Sequence, residues 1–273
     1  MELASPFQTC WDRVDRAEVH RQSLIHVWAG LDTQSVYSSQ AKVDPNGDGK
    51  FFLRTIKRDW LLPFSLELGE MLYQLRSALD SCVYDAACLE FKRCPPPDEE
   101  RWNFPIFETP EKFNEGVRRM KNLPDDMRRI LEAVQPYSGT RCQALGMTWD
   151  IGQALFVLNT WAKIDRHRRL NLAGTVFTRG AIKFDLPKEG MSIESCDFGV
   201  GQHLLEDDAE IARFRIRNFI PGTEIHVNCQ FALEIVVNET PGMCKLQDAV
   251  LTMGASVSAV REGFERHYGI KRE

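Results

Sequence analysis

A chain of 273 residues with 43% apolar and 27% charged residues is long enough and apolar enough to bury a large core, which excludes wholesale disorder. The net charge of −5 excludes a surface that is everywhere an electrostatic footprint for nucleic acid or anionic membrane, so any anion site must be local. None of the eight cysteines forms a close CxxC pair, the start MELASPFQTCWDRVDR has no basic stretch followed by an apolar run, and no segment approaches a membrane span. These features predict a cytoplasmic protein without metal or cofactor, its cysteines serving as small buried hydrophobes.

In chain order, residues 6–31 read as a helix with a thin apolar stripe through Val14, Leu24 and Val27. A β-hairpin near residues 36–58 follows, turning through Asp44, Asn46 and Asp48 with Gly49. This turn matches the first half of a calcium loop, but Thr55 stands where a bidentate Glu is required, so a polar hairpin tip is expected instead. From Pro63 to Phe91, Leu68, Leu72, Leu75, Leu79 and Val83 recur at helical spacing and predict a buried central helix, which the prolines of RCPPPDEER break. Thr109, Pro110 and Glu111 start a helix expected to reach Asn122, Pro124 to Asp126 start one ending near Gln135, and a long helix is expected over Trp149 to Arg168. Near Leu170 the pattern changes to alternation. TVFTRGAIKF reads as a hairpin about Arg179 and Gly180, AEIARFRIRN and TEIHVNCQFALEIVVNE as half-buried strands, and Leu246 to Tyr268 as an amphipathic helix stopped at Gly269. The predicted fold class is α+β: a helical portion over residues 1–169 with an inserted hairpin, then a mostly antiparallel sheet over residues 170–273, covered by the C-terminal helix.

Two helix-borne polar motifs stand out as candidate chemistry. In YQLRSALD, Tyr73, Arg76 and Asp80 are three and four residues apart and share one face of an otherwise apolar helix. Arg76 has five donors and no acceptor, so its burial requires a carboxylate or phosphate. The pair with Asp80 reads either as structural or as a device that aims Arg76 at an anion. In KIDRHRR, Asp165 lies within helical reach of Arg168 or Arg169, and Lys163, Arg166, Arg168 and Arg169 give the segment a local positive charge that suits a helix C-terminus. The cap leaves His167 unexplained. Histidine exchanges protons near neutrality, and a general base beside arginines suits chemistry at phosphate.

Together with FPIF at Phe104 to Phe107 and QPY at Gln135 to Tyr137, these motifs resemble a widespread family of uncharacterised bacterial proteins, over roughly residues 65 to 172. The residues matching its motifs are Arg76, Asp80, Asp165, His167 and Arg168, with Arg166 in place of the usual Lys. The family's pattern is in turn similar to the signature of HEPN-type (higher eukaryotic and prokaryotic nucleotide-binding) helical ribonucleases, in which a His follows the Arg after four residues. The resemblance implies a phosphate- or RNA-directed protein, with a metal-independent ribonuclease of a stress or defence system as its catalytic form. Here the His position is Ser81, so catalysis would depend on His167.

A third cluster is Arg213, Arg215 and Arg217 along one strand. Should His226, Asn228 and Gln230 share its face, the surface would suit phosphate, although no aromatic side chain interleaves with the arginines; a solvated face paired with Glu is the plainer expectation. The site set is therefore His167, Arg76, Asp80 and Asp165 as catalytic candidates, with Tyr73, Arg166, Arg168, Arg213 and Arg215 as ligand contacts. RNA or a phosphate-bearing small molecule and a second copy of the chain are the expected partners. The competing reading is a non-enzymatic module. In it Arg76 would meet Asp165 and Asp80 would meet Arg168 as an ionic lock with no cavity, whereas a site would leave these groups lining a cleft with His167.

Overall fold

The computed structural model describes residues 5–31, 36–56, 59–120, 123–139, 150–187, 189–198, 203–204, 209–239 and 242–270. Its fold is α+β, as the alternation of patterns requires. The elements are α1 (Gln8–Ala29), β1 (Tyr37–Val43), β2 (Asp48–Thr55), α2 (Leu62–Glu90), α3 (Pro110–Val117), α4 (Asp125–Ala133), α5 (Ile151–Asp165), β3 (Leu172–Asp185), β4 (Ser192–Phe198), β5 (His203–Leu204), β6 (Ala209–Arg217), β7 (His226–Glu239), β8 (Gly242–Lys245) and α6 (Leu246–Tyr268). The chain divides into two compact units that interleave in sequence. A helical unit takes Met1–Trp28, Phe64–Leu170 and Glu239–Glu273, and a strand unit takes Ala29–Pro63 and Asn171–Asn238. One crossing falls between Leu170 and Asn171, where the sequence pattern changes period.

In the helical unit, α2 is the axis, with Leu68, Leu72, Leu75, Leu79 and Val83 each 1% exposed or less. Five such side chains each contribute about 1.5–3 kcal/mol on burial, before chain entropy is set against them. The start of α1 is anchored from α2. Phe7 takes a left-handed backbone, φ 65°, which costs a non-glycine residue on the order of 1–2 kcal/mol. The position is held because its N–H donates to Asp85 Oδ2 at 2.8 Å and its ring is fully buried beside Phe264, 6.2 Å away, and Tyr268, 6.0 Å away. Burial pushes the Asp85 carboxyl up to about 6.

Helix α6 has the expected limits. Its apolar face, Leu246, Val250, Met253, Val257, Val260 and Phe264, is buried, and Gly269 ends it with φ 67°. It packs along α5 in the helical unit. Periodicity fixes which face of a helix is buried but not against what. At its other end α5 begins two residues later than expected, because Asp150 caps it by accepting from Gln153 N at 2.7 Å. Helix α3 starts at the Thr109 cap, whose side chain accepts from Lys112 N at 3.3 Å, and gives way to three-residue turns after Val117, short of Asn122. No helix among the described residues is long and apolar enough to cross a membrane.

The strand unit holds antiparallel sheets. In one, the strands run β1-β2-β6-β4; in the other, β3 lies between β5 and β7. Phe214 on β6 and Phe184 on β3 meet with ring centroids 4.8 Å apart, which packs one sheet on the other. Two sheets thus replace the single one expected. The calcium-like turn is a backbone device: Asp44 Oδ1 accepts from Asn46 N and Asp48 N, both at 2.9 Å, and Gly47 supplies φ 86°. The hairpin read in TVFTRGAIKF is instead one strand, β3, with a bulge. Its pairing to β7 passes from Phe177↔Ala232 to Ala181↔Gln230, so two extra residues are taken up there. Arg and Gly marked an irregularity correctly, and β7, long enough to span both halves, made it a bulge rather than a turn.

Candidate functional site

Helices α2 and α5 enclose one side of a cavity of about 580 Å³ in the helical unit. From α2 come Ser65, Gly69, Glu70, Tyr73, Arg76, Ser77 and Asp80; from α5 and the turn after it come Ala162, Asp165, Arg166 and Arg169. Each set follows helical spacing of three and four, so each is one face of its helix. Of the residues singled out from the sequence, Tyr73, Arg76, Asp80, Asp165 and Arg166 therefore lie together.

Arg76 is committed to structure. Its Nη1 donates to Asp80 Oδ1 at 2.5 Å, its Nη2 to Phe104 O at 2.9 Å, and its Nε to Asn159 Oδ1 of α5 at 3.3 Å. Asp80 Oδ1 also accepts from Phe104 N at 2.8 Å. One ion pair thus ties α2 to the FPIF segment and to α5. That segment is fastened again by Gln135, which is fully buried and fully bonded: its Oε1 accepts from Phe107 N at 2.9 Å and its Nε2 donates to Pro105 O and Leu131 O, each at 2.8 Å. A buried amide left unmatched would cost roughly 1–3 kcal/mol per group, so these contacts set the loop's path. The LRSALD, FPIF and QPY segments form one hydrogen-bonded framework, and Ser81 joins none of its chemistry, its hydroxyl donating to Ser77 O at 2.9 Å.

The cavity's other charged groups are less engaged. Asp165 lies over Gly69 so closely that a Cβ there would come within 2.5 Å of Asp165 Oδ2. No described residue donates to its carboxylate, and burial, with the Glu70 charge adding to it, holds the carboxyl above the usual carboxylate range. Arg166 donates only through Nε, to Ala162 O at 3.3 Å, and Arg169 has no side-chain partner among the described residues. Ser65 is 6% exposed, and its hydroxyl finds no hydrogen bond among the described residues. Tyr73 remains 55% exposed, with Arg13 over its ring at 5.7 Å.

Two predicted members point elsewhere. His167 is exposed and is not among the lining residues, its backbone N–H continuing the helix end by donating to Ile164 O at 3.0 Å. Arg168 turns to Glu239, donating from Nη1 to Oε1 at 2.6 Å and from Nη2 to Oε2 at 3.0 Å. Neither half of the anticipated lock forms: Arg76 meets Asp80 rather than Asp165, and Arg168 meets Glu239 rather than Asp80. The strand arginines lie in the strand unit and are paired with acids. Arg213 bonds Glu210, and Arg215 stands 3.5 Å from Glu194 and 3.6 Å from Asp48. His226, Asn228 and Gln230 belong to β7, in a different sheet from the arginines of β6. Among the described residues no group of three or more His, Cys, Asp or Glu is placed to hold a metal ion.

Gly69, Ser65, Glu70, Arg169 and Asn159 were not in the candidate set. Gly69 carried a signal, because glycine inside an otherwise strong helix marks a close approach. Comparison with protein-family models, curated proteins and solved structures gives no match.

Proposed function

We propose that the α2–α5 cavity binds a phosphate-bearing ligand, a nucleotide or the backbone of single-stranded RNA, and that the protein acts by binding rather than cleavage. The observation that carries this is the pair Arg166 and Arg169, whose guanidinium groups line the cavity with no carboxylate partner among the described residues. Guanidinium presents a fork of donors matched to phosphate oxygens, and two of them give bidentate recognition. Arg76 and Asp80 serve as the frame that holds the cavity open, and Tyr73 offers an exposed ring on which a base can stack. The resemblance to HEPN-type proteins supports an RNA-directed role. The ribonuclease form of that role lacks support at the site, since Ser81 spends its hydroxyl on the backbone and His167 lies off the cavity.

The test is equilibrium binding of fluorescent 5′-phosphorylated oligoribonucleotides to the whole chain and to Arg166→Ala/Arg169→Ala. The double variant is expected to bind about 10–100-fold more weakly, with a salt slope reduced by roughly 0.7 per lost phosphate contact. Equal binding by both proteins, or cleavage of RNA that His167→Ala abolishes, contradicts the proposal.

A further inference from the structure

A cavity that received phosphate alone would have no use for Glu70 and Asp165, whose charges repel an anion. Yet both line it, and neither accepts a hydrogen bond from the described residues. Asp165 is not there by default of packing. Gly69 leaves it the space that any Cβ would take, at 2.5 Å from Oδ2, so the carboxylate is seated without being bonded. The hydroxyl of Ser65, 6% exposed and without a partner among the described residues, lines the same cavity. With Arg76 and Asp80 engaged by each other and by Phe104 and Asn159, two acids and two guanidinium groups remain without an oppositely charged partner among the described residues.

Resting on the phosphate reading of this cavity, we infer that its ligand is amphoteric, with a phosphate for Arg166 and Arg169 and, at its other end, an edge of adjacent N–H donors for Asp165 and Glu70. A guanine nucleotide has this chemistry. Its N1–H and exocyclic amino group form a two-donor edge that a carboxylate accepts in parallel, whereas adenine presents a ring acceptor there, lone pair against lone pair. The exposed ring of Tyr73 stacks on either base and does not distinguish them. A volume of about 580 Å³ lies within the range of small-ligand sites, roughly 300–1,000 Å³, and accommodates a mononucleotide.

Calorimetric titration of the whole chain with GMP, AMP and ribose 5-phosphate tests the inference. GMP is expected to bind at least ~10-fold more tightly than the other two, the discrimination typical of a site that pairs polar groups. Equal affinity for all three overturns the inference and leaves the phosphate site standing; no binding by any of them overturns both. In Asp165→Asn, an amide that donates where the carboxylate accepts, the preference for GMP should vanish while ribose 5-phosphate binds within about twofold of wild type. Retention of the preference in that variant overturns the assignment of Asp165. Glu70→Gln, at an exposed position, provides the same comparison if Asp165→Asn does not fold, with a reduced GMP preference expected and an unchanged one counting against the inference.

Discussion

Replacing Arg76 with alanine removes three hydrogen bonds at once: to Asp80, to Phe104 O and to Asn159. Bonds involving a charged group contribute about 1.5–3 kcal/mol each when shielded from water. The side chains of Arg76 and Asp80 are 15% and 34% exposed, so solvent screening reduces the sum to about 3 kcal/mol. For a unit of this size that is a fall in Tm of roughly 6–12 °C. Arg76→Lys keeps the charge but not the fork, reaches one partner, and should cost about 1.5–2 kcal/mol. Asp80→Asn is expected to be mildest, near ~1 kcal/mol, since Arg76 and Phe104 N both bond Oδ1, an atom the amide retains. Urea denaturation of the three variants gives the order directly. An Arg76→Ala protein within about 0.5 kcal/mol of wild type, or an Asp80→Asn protein less stable than Arg76→Ala, would refute the framework role assigned to this pair.

Asp85 supplies a pH prediction. Its folded carboxyl is raised from 3.8 to about 6, so between those values the folded state holds more protons than the unfolded, and stability is lost as pH rises, fully above about 6. The rise corresponds to at most about 3 kcal/mol, and partial access to water brings it to ~1–2 kcal/mol. Asp85→Asn, which can still accept from Phe7 N, should therefore gain stability relative to wild type between pH 4 and pH 8 in paired denaturation curves; a difference independent of pH counts against the argument. Gly69→Ala gains about 1 kcal/mol of helix propensity but drives Cβ into the Asp165 carboxylate, so stability should change little while GMP affinity falls ~10-fold or more by calorimetry. An unchanged affinity would mean Asp165 is not held where the ligand needs it. Cys10 and Cys82 are fully buried with their Sγ atoms 2.9 Å apart, and burial pushes the Cys82 thiol far up, so native protein at pH 7.5 should leave both unlabelled by maleimide until it is unfolded, as read by peptide mass.

The helices were largely legible because their apolar residues recur at a period that only one conformation puts on one face. Leu246 to Tyr268 was bounded to the residue by its stripe and by Gly269. What the period leaves open is the partner, which for α6 is α5. The strands were harder. Long-range pairing with β7 converts TVFTRGAIKF from a hairpin into one bulged strand, and sheet membership, which separates Arg213 from His226, has no local signature. At the site, the spacing that joins Tyr73, Arg76 and Asp80 also joins Ala162, Asp165, Arg166 and Arg169, and the same spacing turns His167 and Arg168 away. That much was available from the sequence. The choice of Asp80 over Asp165 as partner of Arg76 was not, because it depends on where Phe104 and Asn159 offer their oxygens.

The most direct measurement of the phosphate site is ¹⁵N–¹H NMR of the arginine Nε groups during titration with ribose 5-phosphate. The resonances of Arg166 and Arg169 should shift with saturation, while Arg168, bound to Glu239, and Arg213, bound to Glu210, stay in place. Shifts at Arg168 or Arg213 with Arg166 and Arg169 unmoved would contradict the account.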